Sequence, residues 1–211
     1  MPNRPVLLAE FMGTFCLVLI GAGSAAVGYG GLCGIALAHG LILALMIALF
    51  AKLSGAHFNP AISAIFWMQK KIDDKTFGYY VAAQFAASLC AAFLLWIILA
   101  GTSVDLGSTR VSDSISTLQG FLVEVVLTFL LAWTVLSTGH KSWGPVAIGA
   151  CLTACILFAG PITGASLNPA RSLGPCLFSG SLIDLWVYLT APFIGAFLAS
   201  LALPWMQSND Q

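Results

Sequence analysis

Ser54-Gly55-Ala56-His57-Phe58-Asn59-Pro60-Ala61 returns later in the chain as Thr163-Gly164-Ala165-Ser166-Leu167-Asn168-Pro169-Ala170. Within each octet the Asn-Pro pair has a local physical meaning. Asn is a favoured N-cap, and Pro suits the first helical position, where a backbone N–H would have no partner anyway. Each octet therefore predicts a helix beginning at its proline. Both helices are short. Ile62–Met68 runs into Gln69-Lys70-Lys71, and Leu173–Phe178 runs into Ser179-Gly180. About 20 apolar residues are needed to cross a hydrocarbon layer, so these segments read as re-entrant half-helices.

Around them lie six long apolar runs: Val6–Val27, Leu32–Leu53, Phe77–Ala100, Leu118–Leu136, Pro145–Ala159 and Leu182–Met206. The fifth is the shortest, because Gly160 and Pro161 interrupt it in the sequence, and Pro192 is expected to bend the sixth. Composition agrees with a chain surrounded by lipid. Hydrophobic residues make up 59% of 211 and charged residues 8%, with zero formal net charge. Soluble domains carry about 25% charged residues. The neutral balance points to no nucleic-acid partner. Met1–Pro5 is too short for the leading region of a cleaved signal, so the first run is read as a retained span.

A second repeat pair lies upstream of the octets. Glu10-x-x-x-Thr14-Phe15 is matched by Glu124-x-x-x-Thr128-Phe129. Three spans per half is odd, so the second half must enter the membrane upside down. The expected fold is all-α and integral to the membrane: six spans and two half-helices in two inverted repeats, about 5–100 and 118–206, joined by a polar linker at about 101–117 within one channel domain. Arg4, Lys52, Lys70, Lys71, Lys75 and Lys141 fall on one side, which by the positive-inside rule places both termini in the cytoplasm and the linker outside.

Inversion aims both half-helix N-termini at the membrane centre, each with about half a positive charge. With the Asn59 and Asn168 side-chain oxygens taken up by capping, their amide NH₂ groups are expected to face a pore as donors. Such a centre suits neutral, oxygen-bearing solutes and disfavours cations. The six cysteines include no CxxC pair and read as small packing residues, with no metal site and no cofactor expected. Small residues such as Gly13, Gly21, Gly195 and Ala196 read as helix-crossing positions.

Together, Ala9-Glu10-x-x-Gly13-Thr14-Phe15, the two octets and Asn168-Pro169-Ala170-Arg171-Ser172-Leu173-Gly174-Pro175 resemble the signature segments of the aquaporin (major intrinsic protein) family, over essentially the whole chain. The resemblance implies a passive water channel of the cell membrane, a homotetramer with one pore per subunit, and no enzymatic activity. Short loops and termini suggest a prokaryotic member. It also implies that Arg171 forms an outer constriction, and by position in the family His39, Ile156 and Ala165 complete it. That His-Ile-Ala-Arg set resembles the filter of some plant vacuolar aquaporins and implies a wider, less polar opening. Ser172, Cys176 and Tyr188 pull toward the water type, Leu189 toward the glycerol type. Glu10 and Glu124 are expected to hold the half-helix loops, His57 to line the cytoplasmic vestibule and His140 to be solvated. Three other readings stand beside this one: a glycerol, ammonia or metalloid facilitator; a proton-coupled transporter using Glu10 and Glu124; and an adhesive role with a blocked pore.

Overall fold

A computed structural model of the chain describes residues 2–99 and 105–207. Ala100 and the first linker residues, 101–104, lie outside the described residues. Among the described residues six helices are long and apolar enough to cross a membrane. In chain order these are α1 (Arg4–Val27), α2 (Gly31–Ser54), α4 (Asp74–Ile98), α5 (Thr117–Thr138), α6 (Gly144–Thr163) and α8 (Leu185–Gln207). The half-helices are α3 (Pro60–Met68) and α7 (Pro169–Ser179).

Local chemistry sets the boundaries. Asn3 accepts from the Val6 N–H at 3.1 Å and starts α1 two residues before the apolar run does. Asp73 accepts from the Thr76 N–H at 2.7 Å and starts α4. Ser116 and Gln119 cap α5 reciprocally. Helix α6 does not stop at Gly160-Pro161 as its sequence suggests. A proline removes only its own N–H, and the remaining ladder carries the helix to Gly164, which closes it with φ 78° and an N–H to the Gly160 carbonyl at 3.0 Å. Helix α8 likewise continues past Pro192. One irregularity has no signal in the apolar pattern: Leu17–Ala22 within α1 is a π-helical segment.

Packing follows the repeat. α1 lies along α4 as α5 lies along α8, and α2 packs on its counterpart α6. Gly40 and Gly149 lie at the α2–α6 crossing, where a Cβ on either would meet the other's carbonyl at 2.4 Å or less. Each half-helix packs on the last span of the opposite half, α7 on α4 and α3 on α8. Stripes such as Leu37, Leu41, Leu45 and Leu49 on α2 face outward at intervals of one turn, as lipid or another copy requires.

Candidate functional site: a pore between two half-helices

The two octets adopt one backbone shape. Gly55, Ala56 and Phe58 have φ of 86°, 52° and 51°, and Gly164, Ala165 and Leu167 have 78°, 45° and 55°. Left-handed backbone at alanine, phenylalanine and leucine costs about 1–3 kcal/mol each and persists only where surroundings enforce it. Here a buried carboxylate does so in each half. Glu10 accepts from the His57 N–H at 3.0 Å, the Phe58 N–H at 2.8 Å, the Ser54 hydroxyl at 2.7 Å and the Gln84 amide at 2.9 Å. Glu124 accepts from the Ser166 N–H at 3.0 Å, the Leu167 N–H at 2.8 Å and the Thr163 hydroxyl at 2.8 Å. Both acids are fully buried, which such a set of donors permits.

Sequence reasoning missed the tyrosines that complete this support. Tyr80 donates to the Ser54 carbonyl and Tyr188 to the Thr163 carbonyl, each at 2.7 Å. Their signal is present: they follow Ser54 and Thr163 by 26 and 25 residues, in the frame of the repeat. By sequence alone Tyr188 marks only the solute type. Ser88 was also missed. It donates to the Ala170 carbonyl and accepts from the Gly174 N–H at 2.9 Å, pinning α7 to α4.

At the centre the asparagines cap as their motif requires. Asn59 Oδ1 accepts from the Ala61 N–H at 2.9 Å, and Asn168 Oδ1 accepts from the Ala170 N–H at 2.9 Å and the Arg171 N–H at 3.3 Å. Pro60, Ala61, Pro169 and Ala170 form the first buried turns. The amides do not both present two free protons, as the sequence reading has it. Asn59 Nδ2 donates to the Leu167 carbonyl at 2.8 Å, and Asn168 Nδ2 to the Phe58 carbonyl at 2.9 Å. Inversion brings each loop's carbonyl against the other's cap, leaving one N–H per amide.

Both asparagines line a cavity of about 290 Å³. Its wall includes His39 and Arg171, passes Leu43, Ile47 and Leu152, and reaches His57, Lys71 and His140. Lys71 and His140 are exposed at its mouth, so His140 belongs to the cavity rim as well as to solvent. His57 stacks on Phe66 with centroids 4.5 Å apart, and its Nδ1 lies 3.1 Å from the Ser63 hydroxyl.

The four residues of the expected constriction are all buried, between 1% and 4% exposed. His39 Nδ1 lies 2.9 Å from the Ile35 carbonyl. A carbonyl only accepts, so Nδ1 carries a proton, and in the neutral ring Nε2 is an acceptor. Arg171 Nη1 donates to the Gly107 carbonyl at 2.7 Å. His39 Nε2 and Arg171 Nε are buried without a hydrogen-bond partner among the described residues. Ile156 and Ala165 offer no polar side-chain atom, and neither is among the residues lining the cavity.

The described part of the linker folds down onto this end. The Thr109 hydroxyl lies 2.7 Å from that of Ser172 and 3.8 Å from Cys176 Sγ. Ser172 also lies 2.6 Å from Ser166. Ser172, Cys176 and Tyr188 are thus fully buried scaffold and do not line the cavity, so any effect they have on solutes is indirect.

Two inverted half-helices meeting head to head inside a six-span bundle, with a cavity running past their caps, define a membrane channel. Residues 3–203 match the model of the major intrinsic protein family, and the chain belongs to that family, whose members are channels and not enzymes. It is 35% identical to the glycerol uptake facilitator protein-like 6 of Lactiplantibacillus plantarum, covering 96% of this chain and 98% of that one. It is 36% identical to the aquaporin TIP2-3 of Arabidopsis thaliana, covering 92% and 84%. The X-ray structure of the aquaglyceroporin from Plasmodium falciparum superposes with a TM-score of 0.84 at 26% identity, covering 93% of each chain.

Proposed function

We propose that the protein is a passive water channel that also admits small neutral solutes. The cavity of about 290 Å³ carries this reading: it joins His39 and Arg171, both asparagine caps and an exposed mouth within one subunit. Water can accept from the remaining N–H of Asn59 and Asn168, and can both accept from Arg171 and donate to His39. Each buried orphan polar atom costs about 1–3 kcal/mol, which a permeating hydroxyl offsets. The apolar wall gives water no further hold, so passage stays weak-binding and fast. Arg171 and the two half-helix N-termini disfavour cations at this depth.

In this reading His39, Ile156, Ala165 and Arg171 are the selectivity filter, Glu10 and Glu124 support the half-helices, and the chain is a single channel domain. It assembles as a homotetramer in the cell membrane of a prokaryote with both termini cytoplasmic, in keeping with the lysines on one side.

Stopped-flow shrinkage of proteoliposomes tests the function. Water flux well above that of empty vesicles, with slower glycerol flux, is the expected outcome. Glycerol or ammonia flux rivalling water would move the protein to the solute facilitators, a reading favoured by the apolar Ile156 and by the name of the Lactiplantibacillus relative.

A further inference from the structure

His39 has a seat, and the seat is a missing side chain. A Cβ on Gly21 would lie 2.5 Å from Cδ2 and 2.7 Å from Nε2 of the His39 ring. No real contact is that short, so the ring occupies the space any side chain at position 21 would fill. Gly21 lies in the π-helical segment Leu17–Ala22, an irregularity of a kind frequent at functional sites. The next residue backs the other polar member of the constriction. A Cβ on Gly107 would lie 2.0 Å from the Ala22 carbonyl oxygen, and Gly107 is the residue whose carbonyl holds Arg171 at 2.7 Å. Gly21 and Ala22, adjacent on one π-helical turn, thus stand behind both His39 and the anchor of Arg171.

We propose that Gly21, on the π-helical segment of α1, is a specificity-determining position that sets the opening between His39 and Arg171. The inference rests on the reading of those two residues as the filter. The ring is tethered through Nδ1 to Ile35 on its own helix. A methyl at position 21 blocks the α1 side, so the ring can yield only toward the cavity that it lines. The opening narrows, and larger solutes suffer before water does. A glycine serving only helix crossing would instead lower all fluxes together, through loss of folded protein.

The test compares Gly21→Ala, His39→Ala and the double variant with the wild type in proteoliposomes, reading water and glycerol flux and the thermal stability of each protein. Gly21→Ala is expected to lower the glycerol-to-water ratio by about tenfold, the scale at which one methylene discriminates in a tight opening. His39→Ala should raise the ratio, and the double variant should match His39→Ala. If Gly21→Ala folds only when His39 is also alanine, the clash with the ring is equally demonstrated. Unchanged flux in Gly21→Ala, an equal loss in both backgrounds, or failure of both to fold would overturn the inference. A wild type that conducts, with His39→Ala indistinguishable from it, would instead bring down the filter reading on which the inference rests.

Discussion

Asn59 and Asn168 each cap their own half-helix and clasp the other's loop, Asn59 Nδ2 to the Leu167 carbonyl at 2.8 Å and Asn168 Nδ2 to the Phe58 carbonyl at 2.9 Å. The centre of the channel is therefore a closed exchange of hydrogen bonds between residues more than one hundred positions apart. The two loops are ordered as one unit.

That exchange predicts non-additivity. Asn59→Ala or Asn168→Ala each removes a cap and orphans a buried carbonyl, at about 2–4 kcal/mol. The double variant should cost less than the sum, with a coupling of about 0.5–3 kcal/mol. Unfolding in detergent micelles measures it. Strict additivity would mean that the loops are held independently.

Glu124→Gln should destabilise the channel by about 1–3 kcal/mol, because an amide places a donor where the Ser166 and Leu167 N–H groups need an acceptor. Glu10→Gln should behave alike. Water flux at a given amount of folded protein should persist, and a proton gradient should not drive accumulation in either the wild type or the variants. Proton-driven uptake that vanished in Glu10→Gln would restore the coupled-transporter reading.

Arg171→Ala removes the cation held by the Gly107 carbonyl and, in the proposed reading, widens the constriction. Glycerol flux should rise several-fold relative to water, read by light scattering under paired osmotic gradients. An unchanged ratio would place the constriction elsewhere.

Tyr80→Phe and Tyr188→Phe each delete one 2.7 Å bond to an octet carbonyl. Each should cost about 1–3 kcal/mol through the orphaned carbonyl, and by nearly equal amounts because the two sites are repeat partners. A large inequality in thermal stability would show that only one loop needs its tyrosine.

Asp73, outside the spans, is held below the usual carboxylate range by its bonds to the Thr76 hydroxyl and N–H. A depressed folded value means that its capping contribution is present above the unfolded pKa of about 3.9 and is lost as pH falls through the folded one. The stability difference between wild type and Asp73→Ala should therefore shrink below about pH 4. A difference that stayed constant to pH 3 would show that the cap needs no charge.

The amino-acid order by itself determined the spans, the half-helices and the inversion. These follow from short-range rules: apolar length against membrane thickness, Asn-Pro capping, and an odd number of crossings per repeat. It also marked Glu10, Glu124 and the two asparagines, because buried polar groups at repeated positions need a common cause. Tertiary structure alone decided how Pro161 is absorbed into α6, where the π-helical turn falls, and that Gly107 of the linker holds Arg171. It likewise turned half of each asparagine's donor capacity away from the pore and toward the opposite loop. These outcomes depend on which backbone carbonyl the fold brings to an unpaired donor, and no local pattern encodes a partner that arrives from the other half of the chain.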